Sequence, residues 1–131
     1  MRKLIALLCL LAGPAHALDA CYAEITGPWI GPVRNEGAIQ ELTTEFTLAP
    51  DGRPEGRYRV AAEEPFDGTL TEFEETGPCE GDFTWTDRFG SGVVHIRFMP
   101  ERGRFQGRWG LDVPTQGNIF NGRRPGVAPT S

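Results

Sequence analysis

Histidine and serine, the side chains that most often carry catalysis, are scarce in this sequence. The chain of 131 residues has two histidines, and only His95 lies beyond residue 17. The serines are Ser91 and Ser131, and neither lies in a G-x-S-x-G motif. A Ser–His–Asp or Cys–His arrangement would therefore have to use His95, which the strand pattern described below places on an outer face. We expect a protein that is not an enzyme.

Motifs for metals and cofactors are missing as well. Zinc sites need several clustered histidine or cysteine ligands, and the sequence has no such cluster. Residues 51–55 are typical of a turn and do not have the spaced oxygen ligands of a calcium loop. Glu72, Glu74 and Glu75 lie close together, but their polar surroundings favour a solvated strand face over an acid–base pair. The sequence predicts no metal and no cofactor.

Lysine does not occur after residue 17, and the remaining charge is mostly negative. Eleven of the thirteen basic residues lie in this part, all of them arginines, against eighteen acidic residues, which gives a formal net charge of −7. Nucleic-acid binding needs clustered positive charge, so we expect no nucleic-acid partner. Residues 18–87 carry 16 acids and 4 arginines, whereas residues 88–131 carry 2 acids and 7 arginines. The two halves either pair within the sheet or form a dipolar surface that steers a charged partner.

The longest apolar run is too short to cross a membrane. It covers residues 4–12, which is nine residues, whereas a spanning helix needs roughly 20. Two basic residues precede the run, and Ala15-His16-Ala17 follows it, a pattern typical of a signal peptide cleaved before Leu18. We therefore predict a signal peptide at residues 1–17, a domain at 18–124 and a disordered tail at 125–131. The protein is expected to be periplasmic or secreted, without a membrane span.

Cysteine usage agrees with export. Cys9 would leave with the signal peptide, so Cys21 and Cys79 would remain, and two cysteines in an oxidising compartment usually pair. The bridge would join positions 58 residues apart, a loop closure worth roughly 4 kcal/mol. A lesser alternative is lipidation of Cys21, because residues 18–21 resemble the lipobox of bacterial lipoproteins.

Alternation of apolar and polar residues indicates strands throughout the chain, while 17 glycines and 11 prolines interrupt it too often for long helices. In one run, Leu42, Thr44, Phe46 and Leu48 share a face. Turn residues separate runs near 22–30, 37–48, 55–63, 66–75, 80–87, 92–99, 103–111 and 117–123. We therefore expect an all-β fold, a small antiparallel up-and-down barrel of about eight strands. Its interior would hold side chains or one small ligand.

Two short segments resemble the calycin barrels, the lipocalins and avidins. Residues 25–29 look like the G-x-W element that begins such barrels, and residues 52–58 look like the turn-G-x-Y segment of avidin-type chains. The resemblance implies a structural pair in which Arg123 lies over Trp29. The polar ring that grips biotin is not recognisable after Trp29, so the resemblance extends to topology only.

Aromatic side chains and arginines supply the candidate ligand-binding residues. Most rings are expected to fill the core, but a surplus at the barrel mouth could stack on an apolar or sugar ring. The two arginines would face outward and could hold an anionic group, or pair with Glu41 or Glu45 instead. The candidates are Tyr58, Trp85, Trp109, Arg104 and Arg108.

Two functions of different classes fit these features. In the first, the domain is an exported carrier of a small apolar or aromatic ligand. In the second, it is a protein-interaction module, such as an inhibitor or accessory subunit of an exported enzyme, that acts through an exposed loop at 87–92 or 32–37. The sequence leaves the identity of ligand or partner open.

Overall fold

A computed structural model describes residues 18–129, so the predicted signal peptide at 1–17 and the last two residues lie outside the described part. Two 3-10 helices, Ala20–Glu24 and Pro100–Arg102, accompany eight strands. The strands are β1 (Gly27–Asn35), β2 (Ala38–Leu48), β3 (Pro54–Val60), β4 (Phe66–Gly77), β5 (Glu80–Asp87), β6 (Gly90–Met99), β7 (Arg104–Gly110) and β8 (Gly122–Arg123).

The strands form one closed antiparallel barrel in which each strand pairs with the next and β8 returns to β1. This confirms the predicted all-β, up-and-down barrel. The closing contacts are few: Ile30 of β1 pairs with Arg123, and Phe105 of β7 pairs with Gly122. Between residues 18 and 129, neither short helix has the length and apolar character that crossing a membrane would require.

Alternation directs the apolar side chains into the barrel. In β2, Leu42, Thr44 and Phe46 are buried while their neighbours are exposed, as the period of two predicts. Leu48, the fourth residue of the predicted inner face, is 39% exposed because β2 ends there. The same pattern holds in β3, β5 and β6. A single aromatic-rich core therefore runs along the barrel axis.

The first and last strands differ from their predicted positions. Instead of a strand from residue 22, the chain forms a 3-10 helix there, because the Asp19 carboxylate accepts a hydrogen bond from the Cys21 N–H and caps the helix. β1 then continues through Pro32, whose carbonyl accepts from the Asn121 N–H. The missing N–H of Pro32 is tolerated because it faces the β8 side, where pairing is sparse.

The last strand, β8, is only two residues long and is preceded by isolated bridges at Ile119 and Phe120, whereas the sequence predicts a strand over residues 117–123.

The N-terminal 3-10 helix closes one end of the barrel. The Cys21–Cys79 disulfide joins it to the β4–β5 turn, which confirms the predicted bridge and indicates a non-cytoplasmic environment. A sulfur in a disulfide cannot also carry a thioether lipid, so the lipidation alternative is incompatible with this structure. The Tyr22 hydroxyl donates to the Glu75 carboxylate at 2.7 Å, a second tie between helix and sheet. We call this the closed end.

An arginine does cover Trp29, but it is Arg124 and not Arg123. The Arg124 guanidinium lies 4.0 Å from the centre of the Trp29 ring and donates to the carbonyls of Glu24, Thr26 and Pro28. Burial lowers the pKa of Arg124. Arg123 instead donates to the carbonyls of Ile30 and Val127. The prediction was wrong by one residue because Gly122 faces inward, against Phe105, so Arg123 faces outward.

The C-terminal segment, for which the sequence predicts disorder, contacts the barrel in its described part. The Val127 N–H donates to the Arg124 carbonyl at 3.0 Å. The Ala128 carbonyl accepts from the Arg104 guanidinium at 2.6 Å. Residues 125–129 thus lie near the start of β7 and the end of β8.

Candidate ligand-binding site at the barrel mouth

The two ends of the barrel differ in how they are filled. Opposite the closed end lies the mouth, formed by the β1–β2, β3–β4, β5–β6 and β7–β8 connections. Toward the closed end, the interior is packed with rings. Phe46 is central, with ring centres of Phe98 and Phe105 at 5.2 and 5.6 Å. A ligand therefore has no room in that part of the barrel.

A cavity of about 180 Å³ opens at the mouth. Its wall is mostly carbon and includes rings or aliphatic side chains from β1, β3, β4, β5 and β7. For comparison, a buried apolar cavity of about 150 Å³ is large enough for benzene. The lining residues are Val33, Arg34, Asn35, Glu36, Tyr58, Val60, Phe66, Trp85, Asp87, Phe89, Trp109, Leu111 and Phe120.

A hydrogen bond between two strands lies within this mostly apolar wall. The Tyr58 hydroxyl donates to Asp87 Oδ2 at 2.7 Å, across from β3 to β5. Burial, and then the hydrogen bond to Asp87, raises the pKa of Tyr58, so the phenol stays protonated. Position 68 on β4 must be glycine, because a Cβ there would overlap the Tyr58 ring. The phenol is thereby held in one place.

Two tryptophans form an adjoining wall. The rings of Trp85 and Trp109 meet edge to face, with centres 5.6 Å apart. Their indole N–H groups donate to main-chain carbonyls, that of Trp85 to Gly110 at 3.0 Å and that of Trp109 to Arg34 at 2.9 Å. Both indole N–H groups are therefore already hydrogen-bonded within the protein, and a ligand would contact only the carbon surface of the two rings.

Apolar side chains continue from the cavity onto the rim. Phe89, in the β5–β6 turn, is 58% exposed, and Leu111 and Val113, which follow β7, are 69% and 65% exposed. The Arg88 guanidinium lies over the rings of Phe66 and Phe89, 5.2 and 4.9 Å from their centres. The rim is thus an exposed apolar surface that adjoins a cation.

Comparison of the chain with protein-family models, with curated proteins and with solved structures gives no match. Its function must therefore be inferred from the geometry of the site. Of the residues that the sequence nominates, Tyr58, Trp85 and Trp109 come together around the cavity. Tyr58 and the two tryptophans belong to β3, β5 and β7, and their inward side chains meet at the mouth of the closed barrel.

The two nominated arginines lie elsewhere. Arg104 and Arg108 are on the outer wall of β7, and neither lines the mouth cavity. Arg108 faces a shallow depression with Glu80 and His95. The alternative pairing with Glu41 or Glu45 does not join neighbouring strands, because β7 lies between β6 and β8 while the two glutamates are on β2.

The most informative site residue that sequence reasoning missed is Asp87. The sequence pattern places it where a predicted strand ends and an exposed loop begins, yet it continues the inward alternation of Phe83 and Trp85 by one more step. The alternation of inward and outward residues along β5 is therefore the sequence pattern that could have identified Asp87. Val33 and Leu111 were missed as well, and only the closed topology shows that they share a cavity with Trp109.

The titratable side chains on the outer wall of β5 and β6 contact one another and not the mouth cavity. His95 places Nδ1 2.7 Å from Asp82 and Nε2 2.9 Å from Glu80, so it bridges two carboxylates of the neighbouring strand. Within residues 18–129, the one close group of possible metal ligands is Asp19, Cys21 and Cys79. Both of its sulfurs are in the disulfide, so they are not thiolates that could bind a metal.

Proposed function

We propose that this chain is an exported binding protein whose barrel mouth takes a small apolar or aromatic ligand, and that it is not an enzyme. The observation that carries the proposal is the cavity of about 180 Å³ walled by aromatic rings. The sequence pattern of residues 1–17 and the disulfide support export to the periplasm or the exterior.

The size of the cavity limits the ligand. Pockets for drug-sized molecules usually have volumes of about 300–1,000 Å³, so this one suits a smaller molecule or the end of a larger one. A single ring with a short substituent fits the volume and the apolar wall. The packed rings below prevent deeper insertion.

The contacts of the polar groups support binding over catalysis. At the mouth, the Tyr58 hydroxyl is protonated and donates to Asp87, so it is poorly suited to act as a general base. His95 lies on the outer wall with Asp82 and Glu80 and does not line the cavity.

Calorimetric titration of the mature protein with 2-phenylethanol and 2-phenylethylamine tests this proposal. We expect at least one of these single-ring probes to bind, and Trp109→Leu to weaken that binding about tenfold by removing a ring from the wall. Arg108→Gln is the matched control, because it changes the outward residue next to Trp109 and is expected to leave affinity unchanged. Equal binding by both variants, or no binding to the unaltered protein, would contradict the proposal.

A second candidate, a protein-interaction module, is favoured by the exposed rim. The two segments suggested by the sequence, at 87–92 and 32–37, are strand ends joined by two-residue turns at 88–89 and 36–37 and not extended loops. Both turns lie at the mouth, where Phe89 and Leu111 are exposed. In that case an apolar side chain of an exported partner would occupy the cavity.

This second candidate predicts that Phe89→Ser abolishes capture of one reproducible partner from the exporting cell. Leu48→Ser is the control, because Leu48 is 39% exposed but lies toward the closed end, and it should leave capture intact. Loss of capture with both variants, or with neither, would argue against a partner at the mouth.

A further inference from the structure

The mouth cavity contains a carboxylate whose charge is not balanced by an ion pair. Asp87 lies at the end of β5, only partly exposed, and lines the cavity. Its oxygens accept from two neutral donors, the Tyr58 hydroxyl at 2.7 Å and the Phe89 N–H at 2.8 Å. None of the ion pairs within residues 18–129 includes Asp87. Because a carboxylate can accept about four hydrogen bonds, two acceptor positions remain for a ligand.

The nearby arginines are held by other groups. Arg34, which also lines the cavity, donates through Nε to the Gly117 carbonyl and through Nη1 to the Gly37 carbonyl, at 2.9 and 3.0 Å. Arg88 donates to the Glu64 carbonyl and stacks on two rings at the rim. Neither guanidinium forms an ion pair with Asp87, so the carboxylate keeps its attraction for another cation.

The rings around Asp87 favour a cation too. The face of an aromatic ring carries partial negative charge and attracts ammonium and guanidinium groups. The protein already uses this attraction at the rim, where Arg88 lies over Phe66 and Phe89. Both indole N–H groups and the Tyr58 hydroxyl are committed to protein acceptors, so an anionic ligand would depend on the N–H groups of Arg34 that its two carbonyl acceptors leave over.

We infer that the ligand of the mouth is an organic amine, a single ring or similarly small apolar group that carries a primary or secondary ammonium. The ammonium donates to Asp87 and lies against the surrounding rings, while the apolar part fills the cavity beside Trp85 and Trp109. This inference rests on the proposed function and specifies its ligand class. The net charge of −7 beyond residue 17 would also attract a cation toward the protein.

Three probes of nearly equal size test the inference by calorimetry: 2-phenylethylamine, 2-phenylethanol and phenylacetate, which differ in charge. We expect the amine to bind about tenfold more tightly than the alcohol, because an ammonium adds charge–charge attraction to its hydrogen bond with a partly desolvated carboxylate, whereas a hydroxyl forms the hydrogen bond alone. Phenylacetate should bind weakest, because its own carboxylate is repelled by Asp87. Equal affinities for amine and alcohol, or tightest binding of phenylacetate, would overturn the inference while the binding function stands. No binding of any probe would overturn both.

The variant Asp87→Asn tests whether this carboxylate causes the preference for the amine over the alcohol. The amide oxygen can still accept from the Tyr58 hydroxyl, so affinity for 2-phenylethanol should persist while the advantage of the amine disappears. Asp82→Asn is the matched control, since it removes the same charge from the outer wall of the same strand and should retain the full amine preference. An undiminished preference in Asp87→Asn would overturn the assignment. The comparison of probes on the unaltered protein decides the ligand class even if this variant does not fold.

Discussion

Tyr58 and Tyr22 are buried phenols, each of which donates to one carboxylate. Burial is the main reason that their pKa values are raised, and the hydrogen bonds to Asp87 and Glu75 add to the effect. In the unfolded chain both phenols would titrate near the ordinary value of about 10. The native state therefore keeps protons that the unfolded state loses in alkaline solution.

The direction of the resulting pH dependence follows from proton linkage. A group whose pKa is raised on folding contributes its full stability below its unfolded pKa and loses it as pH rises above that value. We therefore expect the urea midpoint of the protein to fall between about pH 8 and about pH 10.5. Tyr58→Phe should show a smaller fall than the unaltered protein, because one of the two linked protons is removed.

Tyr22→Phe provides the comparison at the other end of the barrel. It should reduce the alkaline loss as well, since Tyr22 donates to Glu75 in a similar arrangement. If both variants lose as much stability between these pH values as the unaltered protein, the two phenols are not the source. Urea unfolding followed by far-ultraviolet circular dichroism measures the midpoints without relying on the tyrosine signal.

At the level of elements, strands with clear alternation were predictable from the sequence. β2 begins within one residue of its predicted start because Leu42, Thr44 and Phe46 make a period of two that only a half-buried strand satisfies. β1 was displaced because its limits depend on partners distant in sequence. The helix that replaces its predicted start is held by Asp19, Cys79 and Glu75.

The site could be predicted in part for the same reason. Inward aromatic residues follow from alternation, so Tyr58, Trp85 and Trp109 were identifiable, but their distance along the barrel axis is not contained in a local pattern. The alternation along β7 correctly predicts that Arg104 and Arg108 face outward, so they do not belong to a site inside the barrel. The Arg123 assignment failed because β8 contains only Gly122 and Arg123, too few residues for alternation to fix its face.

For the whole molecule, the barrel has the contacts that close it at one end and the proposed binding site at the other. The disulfide, the N-terminal 3-10 helix and the contact of Arg124 with Trp29 lie at the closed end. The cavity with Tyr58 and Asp87 lies at the mouth. Between the ends stands a packed layer of rings around Phe46, which keeps its arrangement as long as the barrel is folded.

Removing the disulfide should therefore weaken the fold and leave the mouth unchanged. In Cys21→Ala/Cys79→Ala, we expect the free energy of unfolding to fall by roughly 4 kcal/mol, because the bridge closes a loop of 58 residues in the unfolded chain. Urea unfolding measures this loss, and reductant should lower the stability of the unaltered protein but not of the variant. At a temperature where both are folded, affinity for 2-phenylethylamine should be the same. A folded variant with much weaker binding would show that the closed end shapes the cavity, contrary to the separation argued here.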